Sequence, residues 1–255
     1  MTSNTALQVF NFDWDDNIMF LPTNIIIFHK TTGAEIAIST HEFARVRLEV
    51  GVTGKYEDYA IQGDENKTPF SFREFRDKTA PHENTFYPQV IEALSNKEWE
   101  GPSFKSFQIA MSCPITASET TIITARGHEP ESMHEALLAM KGLGYISNVP
   151  KIENIFPVSS PKMKGKASAP SKIKTAVLLE RLDELNSRGV SVSFGFSDDD
   201  LGTYNMVKAE LEPRVAAGQW PNIEVVLYFT GPNPETVVLT TAGAKPFVIE
   251  TLAAI

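Results

Sequence analysis

The stretch VFNFDWDDN, residues 9–17, passes directly from apolar and aromatic side chains into three aspartates. Residues 6–12, ALQVFNF, form a short apolar run, which predicts a buried strand. Asp13, Asp15 and Asp16 follow the strand at once, and their charges would repel one another if they stood alone. An acidic cluster at the end of a buried strand therefore requires a partner that reduces the repulsion between its carboxylates.

Composition limits the classes of protein that the chain can belong to. Of its 255 residues 42% are hydrophobic, which is enough for one large domain or for a core domain with an insert. The net charge of −9 makes the chain a poor candidate for holding nucleic acid through phosphate contacts alone, although a small basic pocket still suits a phosphorylated substrate. The single cysteine, Cys113, excludes an intramolecular disulfide and a cysteine-rich zinc site.

Targeting and membrane signals are missing from the sequence pattern. Residues 1–10 lack the basic start and the apolar run of a signal peptide. Apolar runs also stay well short of the roughly 20 residues that cross a bilayer. We therefore expect a cytoplasmic protein without a membrane partner, whereas the oligomeric state is left open.

The first half of the chain is irregular after its first strand. Residues 23–39 predict a hairpin around a Thr-Thr-Gly turn. Residues 50–84 are polar and carry several glycines and prolines, which indicates irregular structure. Short helical patterns follow over 87–94 and 104–111.

The second half of the chain alternates strands and helices. Strands are predicted over 120–124, 154–158, 190–196, 223–229 and 236–239. Helices are predicted over 131–143 and 173–185, and a Ser/Pro/Lys-rich loop over 159–171. Because alternating strands and helices are typical of a parallel sheet, we predict an α/β fold.

Three predicted strands end in polar residues that suit one site. They run into Asp13-Trp14-Asp15, Thr124-Ala125-Arg126-Gly127 and Ser197-Asp198-Asp199-Asp200. Ligands of open α/β sheets bind beyond the carboxyl ends of the strands, so these ends converge if the strands are parallel neighbours. Several carboxylates at one edge need a cation, and Mg²⁺ suits a few carboxylates together with waters and a phosphate.

Four segments of the chain carry a family resemblance. They are FDWDD (12–16), IITARG (122–127), SKIKTAVLLERL (171–182) and FGFSDDD (194–200). The set resembles the haloacid dehalogenase superfamily of phosphotransferases and phosphatases. That family places Asp-x-Asp after its first strand, a Ser or Thr after its second, a lysine near the start of a later helix, and an acidic pair after its fourth strand. The resemblance covers about residues 5–20 and 118–210.

The resemblance implies a fold and a domain organisation. It implies a Rossmann-like parallel core with a cap inserted after the first strand. On this basis the core would comprise residues 1–20 and 101–255, and the cap residues 21–100. Caps in this superfamily close over the site and select the substrate. The aromatic and basic residues of this segment are therefore candidates for contacts with an organic phosphate: Phe70, Phe72, Phe75, Tyr87, Lys67, Arg73, Arg76 and Lys78.

The same resemblance implies catalytic roles. Asp13 would be the nucleophile, and Asp15 would protonate the leaving oxygen and then activate water. Thr124 would hydrogen-bond the phosphoryl oxygens. Lys174, with Lys172 as the second choice, would neutralise the charge that builds on them.

The implied metal ligands of the Mg²⁺ site are Asp13, Asp15 through its main-chain carbonyl, and Asp198 or Asp199. Asp198 is favoured because it comes first after the strand. Arg126 would either reach the substrate or pair with a carboxylate. The chain departs from the family where members often carry Gly-Thr, since Asp16 and Asn17 stand there.

These residues predict an Mg²⁺-dependent phosphomonoester hydrolase, of the phosphatase branch, that acts on a small phosphorylated substrate through an aspartyl-phosphate. One alternative is a nucleic-acid or nucleotide end phosphatase, which the charge of −9 disfavours mildly. The other is a non-catalytic binding protein on the same fold, against which the complete set of site residues argues.

Overall fold

The computed structural model describes residues 6–63, 70–79, 82–163 and 169–240. Its strands are β1 (Leu7–Phe12), β2 (Asn24–His29), β3 (Glu35–Ser39), β4 (Tyr59–Ala60), β5 (Lys78–Thr79), β6 (His82–Glu83), β7 (Thr121–Thr124), β8 (Ile155–Pro157), β9 (Val192–Asp198), β10 (Ile223–Phe229) and β11 (Glu235–Leu239). Its α-helices are α1 (Thr40–Val46), α2 (Phe86–Leu94), α3 (Phe104–Ala110), α4 (Pro114–Glu119), α5 (Pro130–Gly142), α6 (Pro170–Ser187) and α7 (Leu201–Ala216). Short 3₁₀ helices cover Gly54–Tyr56, Arg73–Phe75, Ile152–Asn154 and Pro161–Met163.

A six-stranded sheet in the order β11-β10-β9-β1-β7-β8 forms the centre of the molecule. Five of its strands are parallel, and only β11 runs antiparallel, beside β10. The last residue of β1, Phe12, lies level with Ser197 of β9 and with Ile122 of β7. The predicted α/β class with a mostly parallel sheet is therefore confirmed, and the strand ends of interest lie side by side.

Helices cover both faces of this sheet, which explains why the central strand β9 has no residue exposed to solvent. All seven residues of β9 are buried. Successive residues of β7 enter different cores, since Ile123 packs with the residues of α6 and α7, and Ile122 with those of α2, α3 and α5. A fully buried side chain such as Phe194 contributes about 1.5–3 kcal/mol to folding through apolar burial.

A second, smaller sheet in the order β3-β2-β4 follows β1 along the chain. The hairpin predicted over 23–39 is β2 and β3, and its turn places Gly33 at φ +70°, a conformation that glycine adopts readily. This sheet has an apolar cluster of its own, built on Ile25, Ile27, Ile38 and Tyr56. Whether residues 21–100 act as a cap stays a prediction.

Helix α7 was not predicted from the sequence, and its residues show the reason. It contains Gly202 and Pro213, which are poor helix formers. The helix begins because the Asp200 side chain accepts a hydrogen bond of 2.7 Å from the Thr203 N–H. The short helices α1 and α4 were missed as well.

The described helices were also compared with the requirements for a membrane span. Within residues 6–63, 70–79, 82–163 and 169–240, none of them combines the length and the apolar character that crossing a bilayer requires.

Candidate active site

Three aspartates meet where the central strands end. Asp13 follows β1, and its N–H donates to the Ser197 carbonyl at 3.0 Å, which joins it to the end of β9. Asp198 ends β9, and Asp199 comes next. Each of these aspartates offers one carboxylate oxygen, and the three oxygens lie within 4.8 Å of one another. We call Asp13, Asp198 and Asp199 the aspartate cluster.

A buried lysine lies against the aspartate cluster. The Lys174 Nζ atom is 2.9 Å from Asp13 Oδ1 and 2.8 Å from Asp198 Oδ2. Burial opposes the charge of Lys174, but Asp13 and Asp198 outweigh it and raise the pKa of this lysine above its usual value. Of the two lysines that the sequence left open, Lys174 lies in the site, whereas Lys172 is exposed.

The aspartate cluster carries more negative charge than Lys174 balances. Burial, together with Asp198 and Asp15, raises the pKa of Asp13 to about 7 despite the nearby Lys174. Burial, with Asp13 and Asp198, raises the pKa of Asp199 to about 9. Such shifts report that bare carboxylates are unfavourable at this place.

The same residues suit a hard divalent cation. In the described part of the chain, no hydrogen-bond donor or basic side chain contacts the Asp199 carboxylate, although this residue is half-buried. Such a group lacks the partner that a buried charge requires. Three clustered carboxylate oxygens are ligands of the kind that Mg²⁺ takes, so Asp13, Asp198 and Asp199 fit the predicted metal.

The Asp15 carboxylate pairs with Arg126, not with Lys174. The Arg126 Nε donates to both carboxylate oxygens of Asp15, at 3.0 and 2.9 Å, and Nη2 donates to Oδ1 at 2.6 Å. The Thr124 hydroxyl donates to Asp15 Oδ2 at 3.4 Å. The structure therefore resolves the open alternative for Arg126, which pairs with a carboxylate. The Asp15 side chain is not part of the aspartate cluster, and the metal contact of its carbonyl stays a prediction.

Arg126 is itself enclosed on every side. Its side chain is 0% exposed, and its remaining donors reach Gln89 Oε1 at 3.0 Å and Thr23 Oγ1 at 2.6 Å. The guanidinium carbon lies 4.9 Å from the ring centre of Phe75 and 5.1 Å from that of Phe86. This packing fixes the guanidinium plane, and with it the direction of the Asp15 carboxylate.

Asn17, which stands where the resembling family often has a threonine, ties several elements together. Its amide nitrogen donates to the carbonyls of Asp13 and Ser197 at 3.0 and 3.2 Å, and to Ser197 Oγ at 2.9 Å. Its amide oxygen accepts from the hydroxyls of Ser103 and Thr230, each at 2.7 Å. Asn17 therefore links the ends of β1, β9 and β10 and the start of α3.

A cavity of about 800 Å³ opens above these residues. Its floor includes Asp13, Asp15, Lys174 and Asp199, and its opposite side comes from described residues of the segments 25–63 and 70–76. Thr124, Arg126 and Asp198 contact floor residues from below. Three of the four predicted catalytic residues, Asp13, Asp15 and Lys174, therefore line one cavity, whereas Thr124 is buried behind Asp15.

Two contacts join the smaller sheet and its helix α1 to the floor. The Thr40 hydroxyl donates to Asp16 Oδ1 at 2.9 Å, and Arg47 Nη1 donates to Asp200 Oδ2 at 2.6 Å. Burial, with the nearby Asp15, raises the pKa of Asp16 to about 6. Neither contact was predicted from the sequence, because each pairs residues that are far apart along the chain.

The aromatic and basic candidates of the insert separate into two groups. Phe70, Phe72, Phe75 and Arg76 line the cavity. Away from it, Arg73 pairs with Glu35 and Lys78 with Glu83, both at the surface. Tyr87 is exposed and is not among the lining residues. Lys67 lies outside the described residues.

Comparisons of the chain with known proteins found no matching family model, no matching curated protein and no matching solved structure. The membership in the haloacid dehalogenase superfamily therefore stays a prediction that rests on the four motifs.

Proposed function

We propose that the protein is an Mg²⁺-dependent phosphomonoester hydrolase of the haloacid dehalogenase type, acting on a small phosphorylated substrate in the cytoplasm. The observation that carries the proposal is the aspartate cluster with the buried Lys174, at the carboxyl edge of a parallel sheet and open to a cavity. Carboxylates and a cation held in this way suit phosphoryl transfer, which depends mainly on positioning and on electrostatic stabilisation.

In the proposed reaction Asp13 supplies the nucleophile. One of its carboxylate oxygens forms a bond to phosphorus while the bond from phosphorus to the ester oxygen breaks, giving an aspartyl-phosphate. Asp15 enters this step protonated, with one of its oxygens released from Arg126, and gives its proton to the departing oxygen. Water then attacks phosphorus, Asp15 accepts a proton from that water, and the Asp13 carboxylate and inorganic phosphate are released.

The neighbouring residues orient these groups and balance the charge of the phosphoryl oxygens. Lys174 holds Asp13 and keeps a positive charge beside the reacting phosphorus. Thr124 and Arg126 orient Asp15. Mg²⁺ held by Asp13, Asp198 and Asp199 would supply further positive charge to the phosphoryl oxygens.

Hydrolysis of an aryl phosphate by the wild type and by Asp13→Asn, with Mg²⁺ or with a chelator, tests the proposal. We expect activity that requires Mg²⁺ and that is lost in Asp13→Asn. Asp58→Asn serves as the control, since Asp58 is exposed and does not line the cavity. Equal activity in the wild type and in Asp13→Asn would show that Asp13 is not the nucleophile. Inactivity of both proteins on a panel of phosphoesters would favour the non-catalytic alternative.

The alternative of a nucleic-acid end phosphatase has less support. Arg47, Arg73 and Lys78 of the first half of the chain each pair with a carboxylate. Such pairs leave little positive charge for a nucleic-acid backbone, which needs several phosphate contacts. Release of phosphate from an oligonucleotide end at a rate above that of small esters would reverse this preference.

A further inference from the structure

The two sides of the active-site cavity differ in chemistry. The core side supplies carboxylates, Lys174 and small hydroxyl side chains, together with aliphatic residues such as Val158 and Ile173 but, among the described residues, no aromatic ring. The opposite side supplies four phenylalanines, which we call the phenylalanine wall: Phe43, Phe70, Phe72 and Phe75. The remaining residues on that side include Ile25 and Ala44, which are also apolar.

The phenylalanine wall is a connected surface. The ring centres of Phe43 and Phe72 are 5.9 Å apart, those of Phe70 and Phe72 are 5.9 Å apart, and those of Phe72 and Phe75 are 6.1 Å apart. The rings of each pair are steeply inclined, an arrangement that aromatic rings favour. All four side chains are only partly buried, so the wall offers ring surface to a ligand.

Polar side chains on the wall side are engaged elsewhere. Thr40 donates to Asp16, and Arg47 donates to Asp200, so both face carboxylates of the core. The Arg76 guanidinium lies 4.8 Å from the ring centre of Phe70 and adds a cationic face to the wall. Against the wall side, a leaving group with many hydroxyls would lose water and find few partners, which disfavours a sugar at this place.

We propose that this cavity takes a phosphomonoester whose leaving group carries an aromatic ring, either a nucleobase or a simple aryl group. The inference rests on the proposed function, because the floor must hold the phosphoryl group. An aromatic ring is attracted by the rings of the wall and by the Arg76 guanidinium. The volume of about 800 Å³ exceeds what a phosphate alone fills and is typical of sites for organic ligands.

Four substrates that release a primary alcohol test the proposal with matched chemistry. They are 2-phenylethyl phosphate, adenosine 5′-monophosphate, glucose 6-phosphate and glycerol 3-phosphate. We expect kcat/KM to be about tenfold higher for at least one aromatic substrate than for either hydroxylated one. The two aromatic substrates separate a simple aryl group from a nucleobase. Equal or better hydrolysis of the hydroxylated pair would overturn the proposal and leave the phosphatase function standing.

A variant of the wall should change this preference. Phe70→Leu keeps an apolar side chain but removes the ring, so the ratio of kcat/KM between the aromatic substrate and glycerol 3-phosphate should fall by about three- to tenfold. Phe20→Leu is the matched control, since Phe20 is 40% exposed and does not line the cavity. An unchanged ratio in Phe70→Leu would overturn the role of this ring.

Binding to the wild type separates recognition from hydrolysis. Calorimetry with Mg²⁺ present would compare 3-phenylpropylphosphonate with 3,4-dihydroxybutylphosphonate, neither of which can be hydrolysed. We expect the aromatic phosphonate to bind about tenfold more tightly. This result without any hydrolysis would support the aromatic recognition and overturn the phosphatase function, whereas equal affinities, or no binding of either, would overturn the proposed recognition.

Discussion

Both carboxylate oxygens of Asp15 accept hydrogen bonds from the buried guanidinium of Arg126, with Nε at 3.0 and 2.9 Å. A planar guanidinium that reaches both oxygens fixes the orientation of a carboxylate as well as its charge. The residue proposed to transfer protons is therefore held by contacts that do not involve the aspartate cluster.

Arg126→Lys should impair catalysis more than substrate binding. Lysine keeps the charge but loses the planar pair of donors, so Asp15 is no longer held in one direction. We expect kcat to fall about 100-fold with KM changed little, the size of effect that misplacement of a catalytic group produces. Steady-state kinetics measures both parameters. Arg73→Lys is a matched control, because Arg73 makes the same two-donor contact with Glu35 at the surface. A rise in KM at constant kcat would contradict the orienting role.

Lys174→Met should remove activity and destabilise the protein. Among the described basic residues Lys174 is the one that contacts the aspartate cluster, and losing one partner of a buried charge pair costs about 3–5 kcal/mol. Urea unfolding in a chelator measures the change in the free energy of unfolding. Lys172→Met, two residues away and exposed, should change it by less than about 0.5 kcal/mol. A comparable loss of unfolding free energy in both variants would show that the contacts of Lys174 with the aspartate cluster do not stabilise the protein.

The metal-free protein should lose stability as the pH rises. Asp13 and Asp199 have pKa values of about 7 and about 9 in the folded protein, above the ordinary 3.8. The folded protein therefore binds more protons than the unfolded chain from about pH 4 to pH 9, so the free energy of unfolding falls over this window. Thermal unfolding in a chelator at pH 5, 7 and 9 would measure the trend, and a stability that rises over this range would contradict it.

Mg²⁺ should oppose this loss of stability, because it binds the deprotonated carboxylates. At a concentration of 100 times its Kd, the metal should stabilise the protein by about 2.7 kcal/mol, and its affinity should increase from pH 6 to pH 9. Asp199→Asn should weaken the effect, since it removes one carboxylate of the aspartate cluster. The same melting experiment with added Mg²⁺ tests this, and an unchanged melting temperature at pH 8 would argue against the metal site.

Asn17→Asp should be strongly destabilising although it is nearly isosteric. The new oxygen would face the carbonyls of Asp13 and Ser197, which now accept from the amide nitrogen. With a net contribution of about 1 kcal/mol for each lost hydrogen bond and repulsion added, we expect a loss of about 3 kcal/mol or more. Urea unfolding measures it, and the exposed Asn96→Asp should stay within about 0.5 kcal/mol. A loss below 1 kcal/mol would mean that the Asn17 contacts are dispensable.

The mostly parallel sheet could be predicted from the sequence, and so could the proximity of the acidic residues that follow its strands. The strands β1, β7 and β9 are short segments rich in apolar or β-branched residues that run into polar ones, and parallel pairing alone brings such ends together. The resemblance indicated Lys174 because this residue lies near the start of the helix predicted over 173–185, and that helix is α6.

Side-chain direction and long-range partners could not be read in the same way. The role of Arg126 stayed open between contacting the substrate and pairing with a carboxylate, because a sequence does not show the direction of a side chain. Asn17 contacts Ser103, Ser197 and Thr230, and no local pattern encodes these contacts. The contacts of Thr40 with Asp16 and of Arg47 with Asp200 depend on how the smaller sheet sits over the floor.

The central position of β1 has a consequence for folding during synthesis. Its hydrogen-bonded neighbours β7 and β9 leave the ribosome much later. Thr230, which donates a hydrogen bond to Asn17, is synthesised 213 residues after it. Until then the nascent chain carries an apolar strand with both edges unpaired, which invites pairing with other chains. We therefore expect the yield of native protein to depend on events late in translation, and a ribosome stalled before β9 to hold a chain without a catalytic centre.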